Sequence, residues 1–236
     1  MNNYELVSKC IDIAQNYKTL YIMGCFGAPL TKENKKRYCN NHSYNMKESR
    51  QNMINSASED TFGFDCVNLI KSILWGWNGD KTKSYGGAKY ASNGVTDIDA
   101  DVMITRCKDV STDFSKLEIG EAVWMPGHIG VYIGDGLAVE CTPTWENGVQ
   151  TTACNCNKTG YNRRNWKKHG KLPYITYVKE VKKEITSAND IIWELMNGKH
   201  KVEILDVNRA VKQLEEAKKA ESSLYWILRK LVNKGA

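Results

Sequence analysis

The sequence predicts an α+β fold for residues 1–178, followed by a small all-α module. Three observations carry this. Residues 61–78 read as a loop that turns into a helix. Residues 121–141 read as short strands around one tight turn. From about residue 186 only helical periodicity remains. Helices that flank an antiparallel meander bury their apolar faces against it.

Residues 3–16 place Leu6, Val7, Cys10, Ile13 and Ala14 on one side of a helix. Residues 19–29 are a short extended piece that ends in a Gly and Pro turn. Residues 31–60 are rich in Lys, Asn and Ser and read as a surface insertion, with a helix around Lys47–Ile54. Gly63 then breaks the chain, and Asp65 is a good helix N-cap. Val67, Ile70, Leu74 and Trp77 recur at helical spacing, so one face of that helix points into a core. Cys66 falls at its first position, where the positive end of the helix dipole is expected to favour a thiolate.

Asn78-Gly79-Asp80 and Gly86-Gly87 mark loops, and a further helix is expected over 98–107, with Val102 and Ile104 among its apolar residues. Ala122–Met125 is an apolar run stopped by Pro126-Gly127. His128–Gly134 alternates, with Ile129, Val131 and Ile133 on one face. Asp135-Gly136 is the strongest hairpin turn in the chain, and 137–141 is the returning strand. A last strand is expected over 174–178. Residues 179–186 read as a charged linker. Residues 187–236 form the helical module, with Trp193 and Trp226 as core residues rather than ligand platforms.

The chain has 236 residues, enough for one full domain and a small second one. Its 42% hydrophobic and 25% charged content is that of a globular protein, not a disordered one. No run is long and apolar enough to span a bilayer. The start, Met1-Asn2-Asn3-Tyr4-Glu5, lacks a basic segment followed by an apolar one. The expectation is therefore synthesis in the cytoplasm without a signal peptide. The eight cysteines then read as reduced thiols. Cys39 with His42, and Cys154 with Cys156, lack the paired spacing of a structural zinc site. The net charge is +6, and Arg163–Lys168 is its densest basic run. That run is either a solvated surface or a contact for an anionic partner, nucleic acid or wall polymer.

Thiol-dependent amide hydrolysis needs a nucleophilic sulfur, an imidazole to take and return its proton, and a polar group to orient the imidazole. His128 opens a buried strand directly after a glycine. Glu140 lies across the Asp135-Gly136 turn, which places it on the strand beside His128, near that strand's start. Cys66, His128 and Glu140 are thus the candidate catalytic set.

Phe64-Asp65-Cys66-Val67 taken with Gly127-His128-Ile129-Gly130-Val131-Tyr132-Ile133-Gly134 resembles the NlpC-type papain-like peptidases that cut bacterial peptidoglycan. The resemblance covers about residues 4–178. It implies a papain-like core in which the helix bearing Cys66 packs on a small antiparallel sheet. It implies amide hydrolysis in the wall peptide, as an endopeptidase or an amidase, with no metal or cofactor. The family usually has a histidine where this chain has Glu140, and the related wall amidases use an acid there. Tyr21-Ile22-Met23-Gly24 resembles the family's Tyr-Val-x-Gly segment, so Tyr21, together with Asp65, is expected at the substrate or oxyanion subsite. The backbone N–H of Cys66 is a further oxyanion donor. Residues 31–60 and 142–172 are expected to build the pocket.

The implied partners are peptidoglycan and anionic wall polymers rather than nucleic acid. The implied setting is that of a phage-type endolysin, which acts on the wall after release. The C-terminal helices would bind wall or form homo-oligomers. Two other readings stay open. One is another papain-like thiol enzyme, a deamidase or acyltransferase, using the same residues. The other is a non-catalytic wall-binding or nucleic-acid-binding module, against which stands the intact Cys, His and acid set.

Overall fold

The computed structural model describes residues 1–178. The linker and the helices expected at 179–236, Trp193 and Trp226 included, lie outside the described residues. The described chain is α+β.

Asn2 starts the first helix, α1 (Asn3–Asn16). Its side chain accepts from the Glu5 N–H, and the Glu5 carboxylate accepts from the Asn2 N–H, a reciprocal cap. Leu6, Val7, Cys10 and Ile13 of α1 are buried. Next come β1 (Thr19–Tyr21) and β2 (Phe26–Pro29). The polar stretch 31–60 folds as α2 (Lys32–Tyr38) and α3 (Glu48–Ser56), around a small core of Ile22, Leu30, Tyr38 and Ile54. β3 (Phe62–Phe64) lies parallel to β1 and antiparallel to β2, closing a three-stranded sheet.

β3 runs straight into α4 (Cys66–Leu74). All nine residues of α4 are buried, so it is enclosed on every side rather than along one face. The chain from 85 to 98 covers its outer side. Lys71 Nζ donates to the Ile98 carbonyl at 2.9 Å, Asn93 to that of Leu74 at 2.8 Å, and the Trp75 indole to that of Val95 at 2.9 Å. Trp77, expected as part of the helix, lies beyond its end. There it meets Tyr17, Phe62 and Phe64 edge-on, and its indole donates to the Gly27 carbonyl at 3.0 Å. Gly27 has φ +87°, and a Cβ there would sit 2.2 Å from Trp77 Cδ1. Gly27→Ala should therefore cost about 2 kcal/mol or more, combining left-handed strain with overpacking. Urea unfolding of the two proteins measures it.

α5 (Ala100–Arg106) is shorter than the expected 98–107. It buries Met103 and Ile104, while Val102 is 37% exposed. The remaining strands are β4 (Lys108–Ser111), β5 (Ala122–Met125), β6 (His128–Gly134), β7 (Leu137–Thr142), β8 (Gly148–Cys154), β9 (Arg163–Arg164) and β10 (Lys168–Lys171). They form one seven-stranded sheet in the order β4-β10-β5-β6-β7-β8-β9. Only β8 and β9 pair in parallel. Asp135 and Gly136 have φ of 51° and 67°, the double left-handed turn that matches strand twist.

One face of this sheet, with Ile129, Val131, Val139 and Cys141, packs on Leu69, Ile70 and Ile73 of α4 and on Leu6 and Val7 of α1. The other face carries Val123, Ala138, Cys154 and Trp166. His128 and Glu140 alternate onto that second face.

No strand forms over 174–178. Thr176 makes a single bridge to Asn2. Tyr177 is anchored by its hydroxyl, which donates to the Gly120 carbonyl at 2.8 Å and accepts from the Leu172 N–H at 3.0 Å. The segment clasps the chain start. The Asn3 N–H donates to the Thr176 carbonyl, the Thr176 N–H to that of Met1, and the Val178 N–H to the Asn3 side chain. Among the described residues no helix is long and apolar enough to cross a membrane.

Candidate active site

Asp65 caps α4. Its Oδ1 accepts from the Asn68 N–H at 2.7 Å, and its Oδ2 from the Gly24 N–H at 2.8 Å and the Asn68 side chain at 2.7 Å. Burial raises its pKa, and these hydrogen bonds only partly oppose that. Both oxygens are accepting, so Asp65 is no donor to an oxyanion. It instead locks the 21–24 segment to the helix start.

Cys66 follows as the first residue of α4. Its Sγ lies 4.0 Å from the Gly127 carbonyl and faces the Ile129 N–H, against the backbone on either side of His128. Burial pushes the thiol up to about 12, and the charge of Asp65 adds to it. The N–H groups of Ile129, Val67 and Cys66 act the other way and are outweighed. The expected helix-end effect is thus present, but the acid that caps the helix puts a negative charge at the same end. A thiolate then needs a base. In His128→Ala, alkylation of Cys66 by iodoacetamide should be slow at pH 7 and rise about tenfold per pH unit toward pH 10. Peptide mapping by mass spectrometry reads it.

His128 begins β6 after Gly127, whose N–H donates to Asp101 Oδ1 at 2.8 Å. The Trp124 indole donates to the same oxygen at 2.8 Å, which ties α5 to this turn. The imidazole stacks on Trp166, with centroids 5.4 Å apart and planes 6° from parallel. His128 Nε2 meets Glu140 Oε2 at 2.6 Å. Among the described residues Nδ1 makes no hydrogen bond.

Glu140 is 0% exposed. Its Cα partner is Gly130, so it reaches His128 diagonally instead of sitting beside it. The register slips at Gly134, next to the turn. Oε1 accepts from Thr152 Oγ1 at 2.7 Å, and Oε2 from Arg164 Nη2 at 2.7 Å. Arg164 Nε reaches both oxygens at 3.1 Å. Burial alone would raise this carboxyl, but the hydrogen bonds from His128 and Arg164 outweigh it and hold the pKa below the ordinary value.

The run 163–168 is therefore not all surface. Arg164 and Trp166 turn inward to Glu140 and His128, leaving Arg163, Lys167 and Lys168 exposed. His169, placed by sequence in a polar stretch, is 2% exposed. Its Nδ1 meets Glu121 Oε2 at 2.5 Å and its Nε2 meets the Asp113 carbonyl at 3.0 Å, a buried tie from β10 to the segments just before β5 and just after β4.

Tyr21 is buried at the end of β1, edge-on to Tyr44. Burial raises its phenol, and Cys66 is close enough for a thiolate charge to add to that. A groove of about 600 Å³ opens here. Tyr21, Asp65, Cys66 and Gly127 line it, facing His42 and residues 97–101. Residue 42 comes from the expected insertion. Residues 142–172 line none of it, and from that segment Thr152 and Arg164 bond Glu140 instead. The His128 ring is turned toward Glu140 and Trp166, and only its neighbour Gly127 reaches the groove wall.

All eight cysteines are free, and among the described residues no cluster of three or more metal-ligating side chains forms. No protein-family model and no curated protein matches the chain.

Proposed function

We propose that the chain hydrolyses an amide bond of bacterial peptidoglycan, on a papain-like core of the NlpC type. The observation that carries the chemistry is the Glu140 carboxylate, fully buried and 2.6 Å from His128 Nε2. It accepts the Nε2 proton and so leaves Nδ1 as the basic nitrogen.

The reaction requires the His128 imidazole, which in this structure faces Glu140 and Trp166, to present Nδ1 to the Cys66 thiol, which passes its proton to that nitrogen as sulfur attacks the carbonyl carbon. The carbonyl π pair moves onto oxygen, where the Cys66 N–H donates and Tyr21 stands near. One such donor is worth about 3 kcal/mol of barrier in a known hydrolase. The oxygen pair returns, the C–N bond breaks, and His128 protonates the departing amine. Water then adds to the thioester with His128 as base, releasing the acid and restoring the thiol.

The wall as substrate is supported by the paired motifs around Cys66 and His128. The exposed Arg163, Lys167 and Lys168 suit anionic wall polymers. Such a substrate places the work outside the cytoplasm, after release.

Purified Gram-positive walls digested with the full chain test this, with mass spectrometry of the soluble fragments. New amine and acid termini at one bond support the reading and name that bond. Walls left intact, with deamidation or acyl transfer found on protein substrates, move the site to a different thiol enzyme. Binding to walls without any cleavage leaves a binding module.

A further inference from the structure

We propose that Arg164 is a positioning residue of this site, neutralising Glu140 so that the carboxylate orients His128 without becoming its private counter-ion. This rests on the reading of Cys66, His128 and Glu140 as the reacting set.

Glu140 has no exposed surface, so water cannot share its charge. His128 faces it from β6, Thr152 from β8 and Arg164 from β9. The thiols of Cys141 on β7 and Cys154 on β8 feel its charge. Cys66 on α4 and Asp101 on α5 hold the backbone of the Gly127 turn. Among these described groups Arg164 is the one permanent cation.

Arg164 is itself held firmly. Its strand pairs with β8, its carbonyl accepts from the Asn155 N–H at 3.0 Å, and Nη2 also donates to Thr142 Oγ1 at 3.1 Å. Its guanidinium lies 4.5 Å from the centre of the Trp145 ring. Trp145 has φ +59°, a left-handed conformation that a bulky side chain rarely adopts. Local strain is thus kept at the residue that covers Arg164.

The charge logic follows. Glu140 with Arg164 is a neutral pair. Remove Arg164, and the only cation left to face the buried carboxylate is a protonated His128. An imidazole held as that cation has no free nitrogen to take the Cys66 proton. Arg164 thereby preserves the base.

The test is a pH titration of the full chain carrying ¹⁵N-histidine, read by NMR, with the His128 signals assigned by their loss in His128→Gln. Arg164→Gln should raise the His128 protonation midpoint by at least about one pH unit, a tenfold change. Arg164→Lys, which keeps the charge, should titrate within about 0.3 unit of wild type, against the ~1 unit that defines the effect.

An unchanged midpoint in Arg164→Gln, with a lower unfolding midpoint, makes Arg164 a brace only and overturns the proposal. Should Arg164→Gln fail to fold, Arg164→Lys decides: titration more than about one unit above wild type rejects charge neutralisation. The NMR readout needs no turnover. A midpoint shift in a protein that cleaves no wall would sink the proposed function and leave the Arg164 coupling standing.

Discussion

Cys66→Ala is expected to abolish clearing of purified cell walls, with a loss of at least about 10⁴-fold in rate. The reason is chemical rather than structural. Every covalent step in the mechanism is made or broken at Sγ, and an alanine offers no substitute. The fold should hardly notice. The side chain is small and buried, its Sγ lies 4.0 Å from the Gly127 carbonyl, and Asp65 caps the helix through its own contacts. Thermal unfolding of Cys66→Ala should therefore stay close to wild type. Turbidity assays with matched protein concentrations read the rate. Residual activity above about one part in a hundred in Cys66→Ala, far over the 10⁴-fold loss expected, would remove Cys66 as the nucleophile.

Glu140→Ala should be damaging in a different way, by about 3–5 kcal/mol of stability. Truncation strands Arg164 and Thr152 around an empty, dry site. Breaking one partner out of a buried ion pair costs far more than the pair contributes. Glu140→Gln keeps the shape and one accepting oxygen, so its loss should be smaller. Its activity should also fall less than that of His128→Ala, where loss of the base costs about 10²–10⁴-fold.

The pH dependence has a definite sign. The carboxyl is held below its ordinary value of 4.5 in the fold, so it binds fewer protons folded than unfolded. Its stabilisation is full above that ordinary value and is lost as pH falls through the lower folded one. The gap between wild type and Glu140→Ala should be wide at pH 7 and close on acidification below 4.5. Urea midpoints measured across that range check it. A gap independent of pH would mean that Glu140 matters only by its volume.

Much of the helix start and the hairpin was legible because both are encoded locally. Asp65 is a cap by its own side chain. Asp135-Gly136 is a turn by its backbone freedom, and alternation then puts His128 and Glu140 on one face. What stands around Glu140 was not legible. β8 reads Gly148-Val-Gln-Thr-Thr-Ala-Cys, too polar to announce a buried strand, because its Thr152 has a carboxylate to satisfy. β9 is two arginines long, and in one dimension an arginine that pairs inward looks the same as one in water.

The buried His169–Glu121 pair hid for the same reason. Burial of polar groups depends on partners far along the chain, and no local pattern carries that. The helix was overextended to Trp77 because the apolar period continues past Leu74. The period reports burial, and Trp77 is buried by an aromatic cluster outside the helix.

The clasp between residues 1–3 and 176–178 makes the described unit nearly a closed ring of chain. A linker of a few residues from 178 back to 1 would bridge ends already in contact, at small entropic cost. New ends cut at an exposed loop such as Lys81-Thr82, outside the regular elements, would then give a circular permutant with the same wiring of Cys66, His128 and Glu140. Such a rearranged chain separates two things that the natural order joins. It would keep the contacts between the elements while changing their order along the chain.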